Sequence, residues 1–168
     1  MSNKITFGEN VGKTFEWLFF SKPWYAEWMF LNRIHRDRNK FDEDDSEYFS
    51  ELMHRANHLA GICPQCEERP ITRMGLSTHQ DGTLGAVGFY CDQCEYTGGS
   101  RTEYCQPSFF VDTHTLPRCE QLRIVSEIKN QYLGQYERVS QKRMKEFFEN
   151  DTNFQDATPG FFQNIQNE

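Results

Sequence analysis

Cys63-Pro64-Gln65-Cys66 sets the architecture of this chain, together with Cys91-Asp92-Gln93-Cys94, which follows after 24 intervening residues. Two thiolates three positions apart can turn onto one ion, and two such pairs complete a tetrahedral site with no open position. The spacing therefore predicts a structural Zn²⁺ held by Cys63, Cys66, Cys91 and Cys94. The alternatives are two redox motifs or chance pairs, but the sequence around the pairs lacks the βαβ pattern of thioredoxin-like motifs.

The segment 62–104 resembles a zinc ribbon. It is rich in Gly, Cys and Thr, and its short β-prone runs include Ala86-Val87-Gly88-Phe89-Tyr90. Zinc ribbons bind nucleic acid in some proteins and serve as docking platforms for other proteins elsewhere, so the resemblance leaves the function open. A second metal site could be assembled from other residues, but their spacing matches no metal motif: Cys105, Cys119, His79 and His114.

Composition limits the partners and the compartment. The chain has 168 residues, with 37% hydrophobic and 15% aromatic residues and a net charge of -7, so the protein as a whole repels nucleic acid. No apolar run approaches the roughly 20 residues of a membrane span, and Met1–Gly8 lacks the apolar core of a signal peptide. We therefore expect no membrane partner and a reducing compartment, cytoplasmic or nuclear, where paired cysteines bind metals rather than form disulfides.

Basic side chains cluster locally in this acidic chain. One such cluster consists of Arg33, Arg36, Arg38 and Lys40. Clustered cations can contact phosphates, but a contact of this size is salt-sensitive and weak. The cluster predicts at most a weak, local contact with DNA.

Hydrophobic periodicity predicts an α+β fold. Helical spacing occurs before and after the cysteine-rich segment, whereas strand-like runs lie within it and at Ile5-Thr6-Phe7. The expected organisation is a small N-terminal strand–helix module at 1–61, a four-cysteine zinc ribbon at 62–104, C-terminal helices at 105–149 and a flexible tail at 150–168.

The N-terminal residues carry a second resemblance. Ile5-Thr6-Phe7-Gly8, Gly12-Lys13-Thr14-Phe15 and Pro23-Trp24-Tyr25 with Trp28 resemble the small module at the C-terminal end of exodeoxyribonuclease X and related proteins. The match covers about residues 5–31 and implies an accessory role in DNA metabolism rather than a nuclease. Gly12-Lys13-Thr14 lacks the rest of a phosphate-cradling loop, so we do not expect a nucleotide site.

A third resemblance lies near the C-terminus. The segment Gln141–Phe148 has the pattern Q-x-x-M-x-x-F-F, which resembles the peptide by which replication and repair proteins bind the sliding clamp PCNA. Met144, Phe147 and Phe148 would form an apolar plug on one helical turn, and Gln141 would bond at the pocket rim. An amphipathic helix that packs against its own core has the same spacing, and this alternative stays open. A weaker copy follows at Gln155, Phe161 and Phe162, with Thr158 at the aliphatic position.

These patterns together predict a non-catalytic, zinc-containing accessory factor of DNA replication or repair that docks on a sliding clamp. No set of residues indicates catalysis or a small-molecule substrate. The alternative is a zinc-ribbon protein that binds nucleic acid in transcription or acts as a protein adaptor. Affinity for DNA that falls with salt and with substitution of Arg36 and Arg38 would favour this alternative.

Overall fold

The computed structural model describes residues 4–98, 101–110, 116–134 and 138–155. Within these ranges the chain forms five α-helices and three β-strands, and the predicted α+β class is confirmed. The elements are α1 Phe15–Ser21, α2 Pro23–Leu31, α3 Glu43–Asn57, β1 Arg73–Thr78, β2 Leu84–Tyr90, β3 Arg101–Cys105, α4 Arg118–Leu133 and α5 Gln141–Glu149.

The helices begin and end where the sequence supplies capping groups. The Thr14 side chain accepts a hydrogen bond from the Trp17 N–H at the start of α1. Asp42 caps α3 in the same way, at 2.8 Å from Asp45 N, and acidic residues follow it in the first turn. Gly134 ends α4 in the left-handed conformation (φ 64°), which costs glycine little.

The N-terminal strand predicted at Ile5–Phe7 is not present as a regular strand. Ile5 N–H donates to Lys13 O at 2.8 Å, and Gly12 N–H donates to Ile5 O at 2.9 Å. The single bridge between Lys4 and Thr14 closes the loop in front of α1. The short alternating run is too small to recruit a sheet partner, so it forms a closed turn that buries Ile5.

The three strands form an antiparallel sheet in the order β2-β1-β3. Met74 and Phe89 are paired neighbours and are buried on the face that packs against the helices. The opposite face carries Gly75, over which the Tyr90 and Tyr104 rings lie: a Cβ added at Gly75 would meet them at 2.9 and 3.1 Å. Glycine is required here because the two rings approach the backbone so closely.

One hydrophobic core runs through the described chain. Buried residues from all three of the predicted segments belong to one cluster, for example Phe19, Phe89 and Phe147. Phenylalanine rings dominate its centre, with Phe20 at 5.4 Å from Phe147 and at 5.3 Å from Phe109 between ring centroids. The boundaries at 61/62 and 104/105 therefore do not separate independent cores.

The first residues of the predicted tail are ordered parts of this core. A short 3₁₀ turn at Asp151–Asn153 leads to Phe154, which is 9% exposed and stacks on Phe148 at 5.8 Å. Phe154 also forms a bridge with Leu59. The predicted boundary at residue 150 is wrong for this stretch, because an aromatic side chain anchors the chain as far as Phe154. Among the described residues, no helix has the length and apolarity to cross a bilayer.

Candidate metal centre

The four predicted ligands come together in space. One Sγ atom from each of Cys63, Cys66, Cys91 and Cys94 lies within 4.8 Å of the others. Cys66 Sγ and Cys91 Sγ are 3.9 Å apart. Cys63 and Cys91 are buried, Cys66 and Cys94 are half-buried, and all four are free thiols rather than disulfides. The predicted four-cysteine cluster is confirmed.

A tight loop presents the first cysteine pair. Cys63 N–H donates to Arg69 O, and Glu67 N–H donates to Cys63 O, each at 2.8 Å. Glu67 adopts a left-handed conformation with φ 58°, which non-glycine residues rarely use. This turn bends the chain back, so that Cys63 and Cys66 face the same point.

The second pair follows β2 and is held by an arginine of the neighbouring strand. Arg73 Nε donates to Cys91 O at 3.1 Å, and its Nη2 donates to Cys94 O at 2.9 Å. The guanidinium also lies over the Tyr104 ring, 4.3 Å from its centroid. Arg73 thus satisfies carbonyl groups of the loop that carries Cys91 and Cys94 and ties this loop to β1.

The local backbone favours ionised sulfur at two of the four positions. Burial opposes ionisation of Cys63, but N–H groups of Cys66, Gln65 and Cys91 point at its sulfur and lower its pKa to about 6. Burial likewise opposes ionisation of Cys91, whereas N–H groups of Gln93 and Cys94 lower its pKa. Hydrogen bonding to Cys91 and burial raise the pKa of Cys94 to about 12. A metal ion bound here would displace the remaining thiol protons, because cysteine binds metals as the thiolate.

The donor set fits zinc. Zn–S bonds of about 2.3 Å in a tetrahedron place neighbouring sulfurs about 3.8 Å apart, close to the observed 3.9 Å. Four cysteine sulfurs fill every position of a tetrahedral ion, so the site has no place for water or substrate. Zinc bound here would join two loops rather than activate a reactant. Among the described residues, this is the one group of three or more His, Cys, Asp or Glu side chains arranged to hold a metal.

The other cysteines and histidines considered at the sequence level lie apart from this centre. Cys119 is exposed on α4, and the Cys105 thiol donates to Met74 O. His79 lies in the turn between β1 and β2, where its backbone N–H donates to Thr83 O at 2.9 Å. His114 lies outside the described residues.

The predicted nucleic-acid cluster is on the surface but has mixed charge. Arg33, Arg36 and Arg38 are exposed, whereas Lys40 pairs with Asp37 at 2.9 Å. Arg36 and Arg38 line a cavity of about 670 Å³, which is also lined by three carboxylates: Asp42, Glu43 and Glu47. These acids weaken the attraction of the site for phosphate.

The apolar residues of the first clamp-binding motif face inward. Met144, Phe147 and Phe148 are 4%, 2% and 2% exposed. The expectation that they form an accessible plug is therefore wrong for the folded chain, because these side chains fill the space between α1 and the rest of the core. Gln141, the remaining motif residue, is exposed at the start of α5.

The second motif is only partly described. Gln155 is exposed, and its backbone N–H donates to His58 O at 2.8 Å. Phe161 and Phe162 lie outside the described residues.

Sequence reasoning missed Arg73 as a positioning residue of the centre. Nothing in its local pattern distinguishes it from any exposed arginine at the start of a strand. The role of Arg73 depends on the pairing of β1 with β2, which places it opposite Tyr90 and next to Cys91.

In comparisons with known proteins, no family model, no curated protein and no solved structure matched this chain. The resemblances to a zinc ribbon, to the exodeoxyribonuclease X module and to a clamp-binding peptide thus stay predictions from the motifs. The structure itself shows an α+β fold and a four-cysteine centre suited to a structural metal ion.

Proposed function

We propose that this chain is a non-catalytic, zinc-containing accessory protein of DNA replication or repair. The observation that carries the proposal is the closed cluster of Cys63, Cys66, Cys91 and Cys94. A site of four thiolates serves stability rather than chemistry, because no coordination position stays open. The metal itself would then take no part in a reaction, and the motifs discussed next are binding motifs, so we infer that the chain acts by binding partners.

The replication or repair role rests on the motifs. Residues 5–31, which resemble the exodeoxyribonuclease X module, form a compact start to the fold in which Ile5 and Phe15 are both buried. The clamp-binding motifs support the same role, and the burial of Met144, Phe147 and Phe148 argues against docking through the first copy.

Docking through α5 would compete with folding. Exposing Met144, Phe147 and Phe148 would cost roughly 1.5–3 kcal/mol for each side chain, or about 5–9 kcal/mol in total. Micromolar binding corresponds to a binding free energy of about 8 kcal/mol. The cost of exposing the three side chains would therefore offset most of this free energy. We therefore place the clamp contact on the second copy, Gln155, Phe161 and Phe162, which begins directly after the buried Phe154.

Calorimetric titration into the sliding clamp of the host tests this proposal. Zinc-loaded wild type is expected to bind at micromolar concentration, and Phe161→Ala/Phe162→Ala is expected to abolish binding; thermal unfolding of this variant checks that it is folded. Phe147→Ala/Phe148→Ala serves as the comparison for the buried copy. Absence of wild-type binding would refute clamp docking, and unchanged binding by the Phe161→Ala/Phe162→Ala protein would refute the second motif.

A second candidate function is nucleic-acid binding by the cluster around Arg36. Two exposed arginines, Arg36 and Arg38, share one cavity and have no carboxylate within ion-pair distance among the described residues. Two observations argue against nucleic-acid binding. The cavity wall is acidic, and the segment 62–104 contains three arginines and six acidic residues. Binding to a DNA duplex that weakens with salt and falls further in Arg36→Ala/Arg38→Ala would support it.

A further inference from the structure

A small cavity of about 270 Å³ lies where α1, α4 and the start of α5 meet. Its walls include Lys13, Trp17, Ser21, Lys129, Arg138 and Ser140. We propose that this cavity binds a phosphate monoester, either of a small molecule such as a mononucleotide or at the 5′ end of a nucleic-acid strand. The inference does not depend on the zinc centre or on clamp docking.

Three cations from separate parts of the chain converge on this cavity. Lys13 comes from the loop before α1, Lys129 from α4 and Arg138 from the segment before α5. None of the described lining residues is acidic. In a chain of net charge -7, three cations gathered without an acid create a local positive potential that an anion would neutralise.

The three cations also lack the ion pairs that most other basic residues of the fold possess. Lys22 pairs with Glu9 and Arg55 pairs with both Glu51 and Asp151. Within the described part of the chain, no carboxylate lies within 4.0 Å of the charged groups of Lys13, Lys129 or Arg138.

Lys129 is the most informative of the three cations. It is half-buried on α4, and burial lowers its pKa from the ordinary value of a lysine. A half-buried ammonium without a partner is unfavourable, whereas a dianion in the cavity would compensate for its lost hydration.

Hydrogen-bond donors are available beside the cations. Ser140 caps α5, its Oγ accepting from Arg143 N at 3.3 Å, and Ser21 contributes a second hydroxyl to the wall. The first turn of α5 contains no acidic residue, in contrast to α3, whose first turn has three. The positive end of this nine-residue helix adds to the field of the cations.

Size and wall chemistry narrow the ligand class. About 270 Å³ is just below the usual range of small-molecule sites, so the cavity suits a phosphate with one small attached group. Trp17 supplies an aromatic wall, with Lys13 Nζ 5.4 Å from the centre of its ring. A base or sugar can pack on this wall while the phosphate meets Lys129 and Arg138.

Calorimetric titration of zinc-loaded protein at low salt tests the site, with thymidine 5′-monophosphate against thymidine as one arm. The second arm compares 5′-phosphorylated with 5′-hydroxyl single-stranded oligonucleotides. We expect millimolar or tighter binding of the phosphorylated member in at least one arm and none of its unphosphorylated counterpart. Binding in the first arm alone identifies a small-molecule site, and binding in the second alone identifies a strand end.

The variants Lys129→Met and Arg138→Met should each weaken binding about tenfold or more, since each removes a charged donor. Lys142→Met is the matched control, because it also removes one positive charge. Lys142 lies on α5, is highly exposed and has its Nζ 3.7 Å from a carboxylate oxygen of Glu146, and it does not line the cavity. Thermal unfolding confirms that all three variants fold. The proposal is overturned if neither phosphorylated probe binds at about 1 mM, or if Lys142→Met weakens binding as much as Lys129→Met does.

Discussion

The ribbon segment (residues 62–104) and the aromatic core around Phe20 are stabilised by different means. In the aromatic core, Phe20, Phe109, Phe147 and Phe148 pack with ring centroids 5.1–6.1 Å apart. In the ribbon segment, the large apolar side chains Met74 and Phe89 are buried on the inner face of the sheet, whereas Tyr90 and Tyr104 on the outer face remain partly exposed. Where apolar area is scarce, four sulfurs on one ion can replace it; where rings are abundant, no metal is needed.

The largest effect should come from removing the metal. Chelation of zinc, or Cys91→Ser, is expected to release both cysteine loops and the attached sheet, because structural zinc contributes on the order of 10 kcal/mol to small domains. Hydrogen exchange measured by mass spectrometry should show protection lost across 63–94 and retained in α1 and α3. Elemental analysis should give about one zinc per chain for wild type.

Cys119→Ser is the control for this experiment. Cys119 is exposed and lies outside the cluster, so the zinc content of the Cys119→Ser protein should equal that of the wild type. Equal protection of residues 63–94 in loaded and chelated protein would show that the ribbon segment is held by apolar packing, and the contrast between the two regions would disappear.

Phe147→Ala should give the next largest effect and act on the other region. Phe147 is 2% exposed and contacts the rings of Phe20, Tyr132 and Phe154. Loss of the ring should lower the free energy of unfolding by about 3–5 kcal/mol, the usual cost of a large cavity in a core. Urea denaturation measures the change.

Glu146→Ala, one residue away and exposed, should change stability by less than about 0.5 kcal/mol. A Phe147→Ala protein as stable as this control would mean that α5 does not belong to the core. That result would restore the Gln141–Phe148 segment as an accessible clamp motif.

Arg73→Met tests how the second cysteine loop is held to β1 within the ribbon segment. The substitution leaves the carbonyl groups of Cys91 and Cys94 without their donor while keeping an apolar side chain beside Tyr104. We expect zinc affinity to fall about tenfold or more, as for other residues that orient metal ligands, and stability to fall by about 1–3 kcal/mol.

Competition with a chromophoric chelator measures this affinity. Arg69→Met is the control, because Arg69 is half exposed and its nearest carboxylate oxygen is 3.9 Å away, on Asp92. Equal affinities for the two variants would remove Arg73 from the centre.

The smallest predicted effect is on the pH dependence of stability in the helical region. We expect this region to lose stability as the pH falls, because His35 becomes protonated. Burial lowers the pKa of His35, a backbone bond to Met29 opposes this shift, and Arg36 adds to it. Because the folded-state pKa lies below the unfolded value of about 6.5, the unfolded chain binds the proton first. Stability from neutral His35 is therefore present above about pH 6.5 and is lost as the pH falls through the folded pKa.

The slope from His35 is at most about 1.4 kcal/mol per pH unit, the value for one proton. His35→Phe keeps the stacking on Phe30, whose ring centroid is 4.9 Å from that of His35, and removes the titration. Thermal unfolding of both proteins at several pH values between about 7.5 and 5.5, on either side of the usual histidine pKa, gives the difference in slope. Identical slopes would show that His35 does not titrate differently in the folded protein.

Local chemistry was sufficient to predict several features. The spacing of Cys63, Cys66, Cys91 and Cys94 predicted the cluster, because two knuckles of this kind have one geometry that uses all four sulfurs. Asp42 and Gly134 cap helix ends, and such caps depend only on neighbours in sequence. The α+β class followed from periodicity alone.

Only the tertiary structure decided the rest. The spacing of Met144, Phe147 and Phe148 is the same for a surface plug and for a core helix, and their burial depends on α1, more than a hundred residues away in sequence. Arg73 and Lys129 acquire roles through what the fold places beside them, a cysteine loop and a cavity. A sequence pattern determines which side chains share a face, but it does not determine what that face meets.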